Sequence, residues 1–507
     1  MSNICIILSA IAVMVFLLVK EYLRPGIILF SVVVLFMVTG ILTPEQALAG
    51  FSNRGMVTVA LLFLVSEGIR RSESLTPILR HLFPKSGCTI TKGYCAILPV
   101  VATISAFLNN TPIVVIFTPY IKAWCRRVGL PIKKFLIPLS YATILGGMCT
   151  LIGTSTNLVV HGLMLDAGVA GLSMFEIGKV GVIIAAAGIL YIILFGAKRL
   201  PAENSEPRQM DKHIVEVVLA ARFPGIRCKM EQFDFYKHYG AHIVAIRRDG
   251  EEFDDFEEYE YKENDTLVLS AHSGFVDMWM DSRVFLIISN GAEHQQQVER
   301  WRQWLSALLL AVMVIGSATS DTPFVERIFS TTKPDMLFWA AIVTVIMALC
   351  NIFPAKKYTK FISWDILITI ASALAISRAM TLSGVADWIA SAIILSCHNC
   401  SPYIILAVLY LTTNIFTEFI TNNAAAAFAF PIALSAASQL GVSHMPFCVA
   451  ICIAASASFC TPIGYQTNLI VQGLGGYRFS DFVRIGLPLT IITFALSMIF
   501  IPIFWHF

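Results

Sequence analysis

Charge is what this chain is short of. Only 14% of its 507 residues are Asp, Glu, Lys or Arg, 57% are hydrophobic, and mean hydropathy is +0.74. A soluble domain carries about 25% charged residues, so the composition implies a polytopic membrane protein. The formal net charge of +3 carries no signal for nucleic acid. Metal-ligand spacing is lacking too: Cys397-His398-Asn399-Cys400 has no second Cys pair nearby and reads as a loop. The other cysteines are scattered, mostly in apolar segments, where a free thiol behaves as a small hydrophobe. No nucleophile–base pair stands near the polar segments, which argues against an enzyme. No small-residue cleavage site follows the apolar run Ile4 to Val19, so that run reads as a span and not a removed signal.

What is present is a stretch written twice. Gly153-Thr154-Ser155-Thr156-Asn157-Leu158-Val159 returns as Gly464-Tyr465-Gln466-Thr467-Asn468-Leu469-Ile470. An amide-rich tip precedes each copy, Asn109-Asn110-Thr111 and then Thr421-Asn422-Asn423. Pro25 and Pro334, Phe51 and Phe361, and Asn157 and Asn468 stand 309, 310 and 311 residues apart. A near-constant offset implies duplication. The segment from Pro201 to Arg302 holds 32 of the 69 charged residues and divides the halves. The organisation is therefore a first membrane repeat over 1–200, a soluble insert over 201–302 and a second repeat over 303–507.

Basic clusters beginning at Lys20, Arg70 and Lys122 orient the first half, with all three on the cytoplasmic side. The stretch Gly93 to Tyr120 then enters and leaves on one side. Its arms are shorter than the about 20 residues a crossing needs, which predicts a re-entrant hairpin. A following helix breaks at Gly153 to Asn157. The second hairpin, Tyr403 to Ala437, is flanked by loops without Lys or Arg and dips in from outside. The expected fold is an all-α membrane protein of two inverted repeats, each with a re-entrant hairpin and a broken helix. The insert is a small cytoplasmic α+β domain, both chain termini lie outside, and the setting is the inner or plasma membrane. Broken, duplicated helices mark a secondary transporter with its site at mid-membrane.

The breaks supply the chemistry. A helix start exposes unpaired N–H groups and the positive end of its dipole, which suit an oxyanion. Asn110, Thr111, Asn422 and Asn423 add side-chain donors from the tips. The carbonyl pole of each break suits a hard cation such as Na⁺. Ser105 and Thr417 stand one turn before Asn109 and Thr421, on the same side of each arm, and with backbone at Gly153 or Gly464 each half forms one Na⁺ site. Asparagines and small residues also hold membrane helices together, but the repetition of tip and break in one order favours a site. Glu418, within the second hairpin, either takes part in ion coupling, as ligand or proton carrier, or reaches a solvated crevice. His161 has no duplicate, since Gln472 replaces it, and reads as packing.

These tip-and-break pairs, with Thr461-Pro462-Ile463-Gly464-Tyr465-Gln466-Thr467-Asn468 and Gly475-Gly476-Tyr477-Arg478, resemble the divalent anion:sodium symporters, the sodium/sulfate and sodium/dicarboxylate type. The resemblance implies a homodimeric elevator in the lipid bilayer. It implies Na⁺ ligands at Ser105, Asn109, Asn110 and Gly153, and at Thr417, Thr421, Asn422 and Gly464. Substrate contacts fall on Asn110, Thr111, Thr154, Asn422, Asn423 and Tyr465, with Ser155, Asn157, Gln466 and Asn468 supporting. The family pattern has Ser-Asn-Thr tips, from which the flanking residues here depart. Ser155 and Gln466 stand where dicarboxylate members tend to have proline, so sulfate or a similar oxyanion is expected. A proton-coupled anion or metalloid exchanger is the alternative within transport. A ligand-gated channel or membrane sensor is the alternative outside it.

Within the insert, Glu216 to Leu219, Phe223-Pro224-Gly225, Ile243 to Gly250 and Asp265 to Leu269 resemble the C-terminal regulatory domain of potassium-uptake proteins. Alternating Val/Ile runs read as strands independently. The resemblance implies a small-molecule regulator or a dimerising cap. The acidic run from Asp254 to Glu263 reads as a solvated loop.

Overall fold

The computed structural model describes residues 2–20, 23–72, 74, 82–83, 89–201, 213–219, 223–226, 228–230, 233–248, 251–253, 259–262, 265–271, 275, 279, 284–289, 299–320, 325, 334–396 and 401–507. The Cys397–Cys400 pair, the Asp249-Gly250 turn and most of the acidic run lie outside them. The chain forms two compact units, one of residues 1–204 with 300–507 and one of 205–299.

The larger unit is helical. Among the described residues six helices are long and apolar enough to cross a membrane, seven if the bent pair Pro44–Ser52 and Arg54–Arg71 counts as one span. Helices α1 (Ser2–Lys20), α2 (Pro25–Val38), α3 (Pro44–Leu48) and α4 (Arg54–Arg71) lead to the first hairpin, α5 (Ile90–Ser105) and α6 (Asn110–Val128). A broken helix follows as α7 (Leu136–Gly147) and α8 (Ser155–Asp166), and α9 (Gly178–Arg199) closes this half.

After the insert come α10 (Arg300–Ala318), α11 (Met336–Leu349), α12 (Trp364–Leu382) and α13 (Val385–Ser396). The second hairpin is α14 (Pro402–Phe419) and α15 (Asn422–Leu440). The second broken helix is α16 (Met445–Ser456) and α17 (Gln466–Gly475), and α18 (Phe479–Phe504) ends the fold. The arms of the second hairpin, 18 and 19 residues, reach the length of a crossing.

The two hairpins match in detail. Their returning arms both carry an internal proline, Pro119 and Pro431, and both stop at a left-handed glycine, Gly129 (φ +71°) and Gly441 (φ +65°). Only glycine takes that conformation without a Cβ penalty. The first segments of the broken helices are buried, α7 along its whole length and α16 from Pro446 to Ser456. Burial on all sides explains why neither shows an amphipathic pattern.

The breaks differ from the expectation. The first spans Met148 to Thr154, and Ser155 to Asn157 already form the first turn of α8. The Gly146-Gly147 pair is a poor helix former and ends α7 early, whereas Ser and Asn suit a helix start. The second break runs from Ala457 to Tyr465.

The smaller unit is built on a five-stranded sheet in the order β3-β2-β4-β1-β5. The strands are β1 (His213–Leu219), β2 (His242–Arg248), β3 (Glu251–Phe253), β4 (Thr266–Ala271) and β5 (Phe285–Ser289), all paired antiparallel. Val215, Val217, Leu219, Ile246, Leu267 and Leu269 form its core with Phe235 and Phe285. The Val/Ile runs predicted as strands fall in β1, β2 and β4.

Candidate functional site

Four helices begin at one cavity. Asn109, Thr154, Thr421 and Tyr465 are the N-cap residues of α6, α8, α15 and α17, and all four line it. Thr154 and Tyr465 take nearly the same backbone conformation (φ −140°, ψ 145° and φ −139°, ψ 133°), as do Asn109 and Thr421 (φ −58°, ψ 141° and φ −67°, ψ 144°). None of these four side chains makes the usual capping bond to its own helix. The first-turn N–H groups are therefore not neutralised by a cap, and the positive ends of four dipoles converge. The cavity measures about 410 Å³, within the roughly 300–1,000 Å³ of small-molecule sites.

Each hairpin tip touches the opposite half. Thr111 Oγ1 donates to Gln466 Oε1 (3.3 Å), and the matching pair in the other direction is Ser155 Oγ to Asn423 Oδ1 (3.1 Å). Asn423 Oδ1 also accepts from Thr156 Oγ1 (3.4 Å). Tyr465 Oη lies 2.5 Å from Asn110 Nδ2 and 3.3 Å from Thr154 Oγ1. The Thr111–Gln466 and Ser155–Asn423 contacts thus recur with the contributing halves exchanged.

Behind the cavity sit two oxygen clusters. Ser105 Oγ–H meets Asn110 Oδ1 at 2.6 Å and the Thr143 carbonyl at 2.9 Å. Thr417 Oγ1–H meets Asn422 Oδ1 at 2.8 Å and the Ala455 carbonyl at 2.6 Å. A Cβ at Gly153 would stand 2.6 Å from the Gly147 carbonyl oxygen, and one at Gly464 would stand 2.6 Å from the Thr417 carbonyl oxygen. Each glycine thus sits where no side chain fits. The donors are hydroxyl, amide and carbonyl oxygens, the chemistry of a hard monovalent or divalent cation.

Asn157 and Asn468 face away from the cavity and brace the breaks. Asn157 Nδ2 donates to the carbonyls of Gly147 (3.4 Å) and Thr150 (2.9 Å), and Asn468 Nδ2 to those of Ser458 and Thr461 (both 3.1 Å). Thr150 and Thr461 hydroxyls in turn accept from the Gly153 and Gly464 amides (both 3.2 Å).

The structure sorts the sequence-predicted residues. Asn109, Thr111, Thr154, Ser155, Thr421, Asn422, Asn423, Gly464, Tyr465 and Gln466 line the cavity. Asn110 does not: it is fully buried behind Tyr465. Ser105 and Thr417 are also fully buried, and Glu418 turns its carboxylate into the second break. There it accepts backbone N–H bonds from Phe459 (3.0 Å), Cys460 (2.9 Å) and Thr461 (2.8 Å) and the Ser458 hydroxyl (3.3 Å). Several contributors escaped the sequence reading. Thr150 and Thr461 were detectable, because Cys149-Thr150 and Cys460-Thr461 repeat at the 311-residue offset. Arg24 and Asp365 also line the cavity. Arg24 stood in a basic cluster and spoke only for orientation.

The chain is similar to known transporters. An uncharacterized transporter of Synechocystis is 29% identical, over 95% of this chain and 94% of its own. Sodium/sulfate cotransporter 1 of Chlamydomonas reinhardtii is 36% identical over 42% of this chain and 24% of its own. The fold resembles the YdaH transporter of Alcanivorax borkumensis at a TM-score of 0.54 and 13% identity, covering 91% of this chain and 87% of that one. The CitMHS family model, described as citrate transporter, matches residues 13–328 and 327–507. With both halves matched and four helix starts around one cavity, the chain belongs to the CitMHS family of membrane transporters.

Proposed function

We propose that the protein is a Na⁺-coupled symporter of a divalent oxyanion, with sulfate favoured over a dicarboxylate. The observation that carries this reading is the convergence of four uncapped helix starts on one cavity. Each is worth about 0.3–1 kcal/mol toward an anion at an exposed position, more when partly buried. The amides of Asn422 and Asn423 and the hydroxyl of Thr154 add directional donors.

Cargo Na⁺ would sit in the two oxygen clusters, one built on Ser105 and Asn110 and the other on Thr417 and Asn422. Asn422 carries a carbonyl oxygen for the cation and an NH₂ group for the anion side, while Asn110 carries the carbonyl oxygen and reaches the cavity through the bond from its NH₂ to Tyr465 Oη. One side chain then links the two occupancies, which is the physical basis of coupling. Sodium/sulfate cotransporters 1, 2 and 3 of Chlamydomonas reinhardtii, 36%, 34% and 35% identical over their matched segments, support the choice of ion and anion.

The exchanged pairs Thr111–Gln466 and Asn423–Ser155 support a two-fold relation between the halves. Together with the basic clusters they favour inverted repeats, an inner-membrane topology with the insert in the cytoplasm, and outside termini. The symporter resemblance extends this to a homodimer in which the hairpins and broken helices move as one elevator body. The insert is then a regulatory domain that binds a small molecule.

Uptake of labelled sulfate into proteoliposomes tests the reading. An inward Na⁺ gradient drives accumulation, and Asn110→Ala or Asn422→Ala lowers it at least tenfold with insertion intact. Uptake that follows a pH gradient and ignores Na⁺ assigns the proton-coupled alternative. Channel-sized currents assign a channel, and full uptake in both variants removes the site.

A further inference from the structure

The cavity has two unlike walls. The hairpin tips and breaks form one, and every polar group on it is neutral. The other is made by the start of α2 and the start of α12, and it carries Arg24 and Asp365. Among the described residues lining the cavity, these are the only charged side chains. Arg24 is exposed and Asp365 half-buried. Neither side chain makes an ion pair or hydrogen bond with a described residue. Packing holds Asp365 in place: a Cβ on Gly26 would stand 2.7 Å from its Oδ1 and 3.0 Å from its carbonyl oxygen. Only glycine lets α2 pass this close to the carboxylate.

Replacing Arg24 breaks no native ion pair or hydrogen bond with a described residue. Its position matters because the opposite wall offers hydrogen bonds but no net charge. Helix dipoles also attract an anion in proportion to its charge, but their effect falls off within about a turn, whereas a full charge reaches further. A full positive charge doubles its attraction when the anion's charge doubles.

We propose that Arg24 is the charge-selecting residue of this cavity, drawing a doubly charged oxyanion toward the tips, while Asp365 beside it draws the cation to the same mouth. This rests on the symport reading above. Arg24 acts on arrival and affinity, and the tips hold the anion. A charged side chain at the mouth of a cleft raises capture of an oppositely charged ligand, and the effect weakens with salt.

The test is initial-rate sulfate uptake into proteoliposomes at low and high ionic strength, with choline chloride as the added salt and Na⁺ fixed. In Arg24→Gln the KM for sulfate rises about three- to tenfold at low ionic strength, while the maximal rate stays within about twofold. The difference from wild type shrinks at high ionic strength, and Arg24→Lys restores most of the affinity. Asp365→Asn shifts the other way, with a lower sulfate KM and a higher half-saturating Na⁺ concentration. An unchanged KM in Arg24→Gln, in preparations where wild type takes up sulfate with Na⁺, overturns this proposal and leaves the symport reading standing. So does a loss in maximal rate alone. Absence of wild-type uptake overturns both.

Discussion

Glu418 illustrates how one residue is spent inside an apolar fold. Its counterpart in the first half is Ala106: the Thr150 hydroxyl donates to the Ala106 carbonyl, and the Thr461 hydroxyl donates to the Glu418 carbonyl at 2.8 Å. In the first half the amides after α7 are satisfied within the turn, Met148 to Ile144 (3.3 Å) and Cys149 to Gly146 (2.9 Å). In the second half α16 stops earlier relative to its repeat, so the amides of Phe459 and Cys460 have no such turn. The Glu418 carboxylate replaces it with four acceptor bonds. A carboxylate fully engaged by donors is a brace for the backbone that forms the second cation cluster. Glu418→Gln turns one acceptor oxygen into a donor facing N–H groups. A buried donor left unpaired costs about 1–3 kcal/mol. Thermal unfolding of the purified protein should show a lower midpoint, while Na⁺-driven uptake persists in the protein that remains folded. Normal stability with lost Na⁺ dependence would make Glu418 an ion-coupling residue instead.

Among the elements, the long terminal helix α18 is tied at its far end. Trp505 Nε1 donates to Glu176 Oε1 at 2.8 Å, and Lys179 Nζ bonds the same oxygen at 2.7 Å, just before and within the first turn of α9. Burial pushes the Glu176 carboxyl up, but the hydrogen bonds from Lys179, Trp505 and Ser173, with the nearby Lys179 charge, outweigh it and hold the group below its ordinary value. A carboxylate with a depressed folded value contributes stability that is present above the unfolded pKa of about 4.3 and is lost as pH falls through the folded one. Acid titration of the unfolding midpoint should therefore show a drop below about pH 4.3 in wild type that is reduced in Glu176→Gln. An identical acid profile in the two proteins would mean that the tie contributes nothing measurable.

The molecule as a whole divides its work between two hydrophobic cores. The insert has its own, made by strands whose alternating residues meet Phe235 and Phe285, and its compact unit runs from Ser205 to Glu299. A segment with a closed core and antiparallel neighbours for each of its five strands has what a small domain needs to fold alone. Residues 205–299 expressed separately should unfold in one cooperative transition. The membrane unit, joined across the gap by a short flexible linker, should still insert. A fragment without cooperative unfolding would show that the insert depends on the rest of the chain.

Much of this architecture was legible in the residues. Hydrophobic length, the polar tips, the glycine-bearing breaks and the strands of the insert all follow from local preferences, and these act over a few neighbours wherever the segment ends up. The 311-residue offset also announced that the tip and break of one half would have partners in the other. Facing was not legible. Asn109 and Asn110 are adjacent, yet one lines the cavity and the other is buried behind Tyr465. Successive residues in a helix turn by about 100°, so the rotation of α6 against its neighbours decides which amide meets the ligand. The same holds for Asn157 and Asn468, which brace the breaks, and for Arg24, which reaches the cavity only because α2 packs along α12 at Gly26. Local chemistry determined where the chain breaks and what each break exposes. Packing between segments hundreds of residues apart decided which exposed groups meet, because direction in space is a property of the assembled helices and not of any one of them.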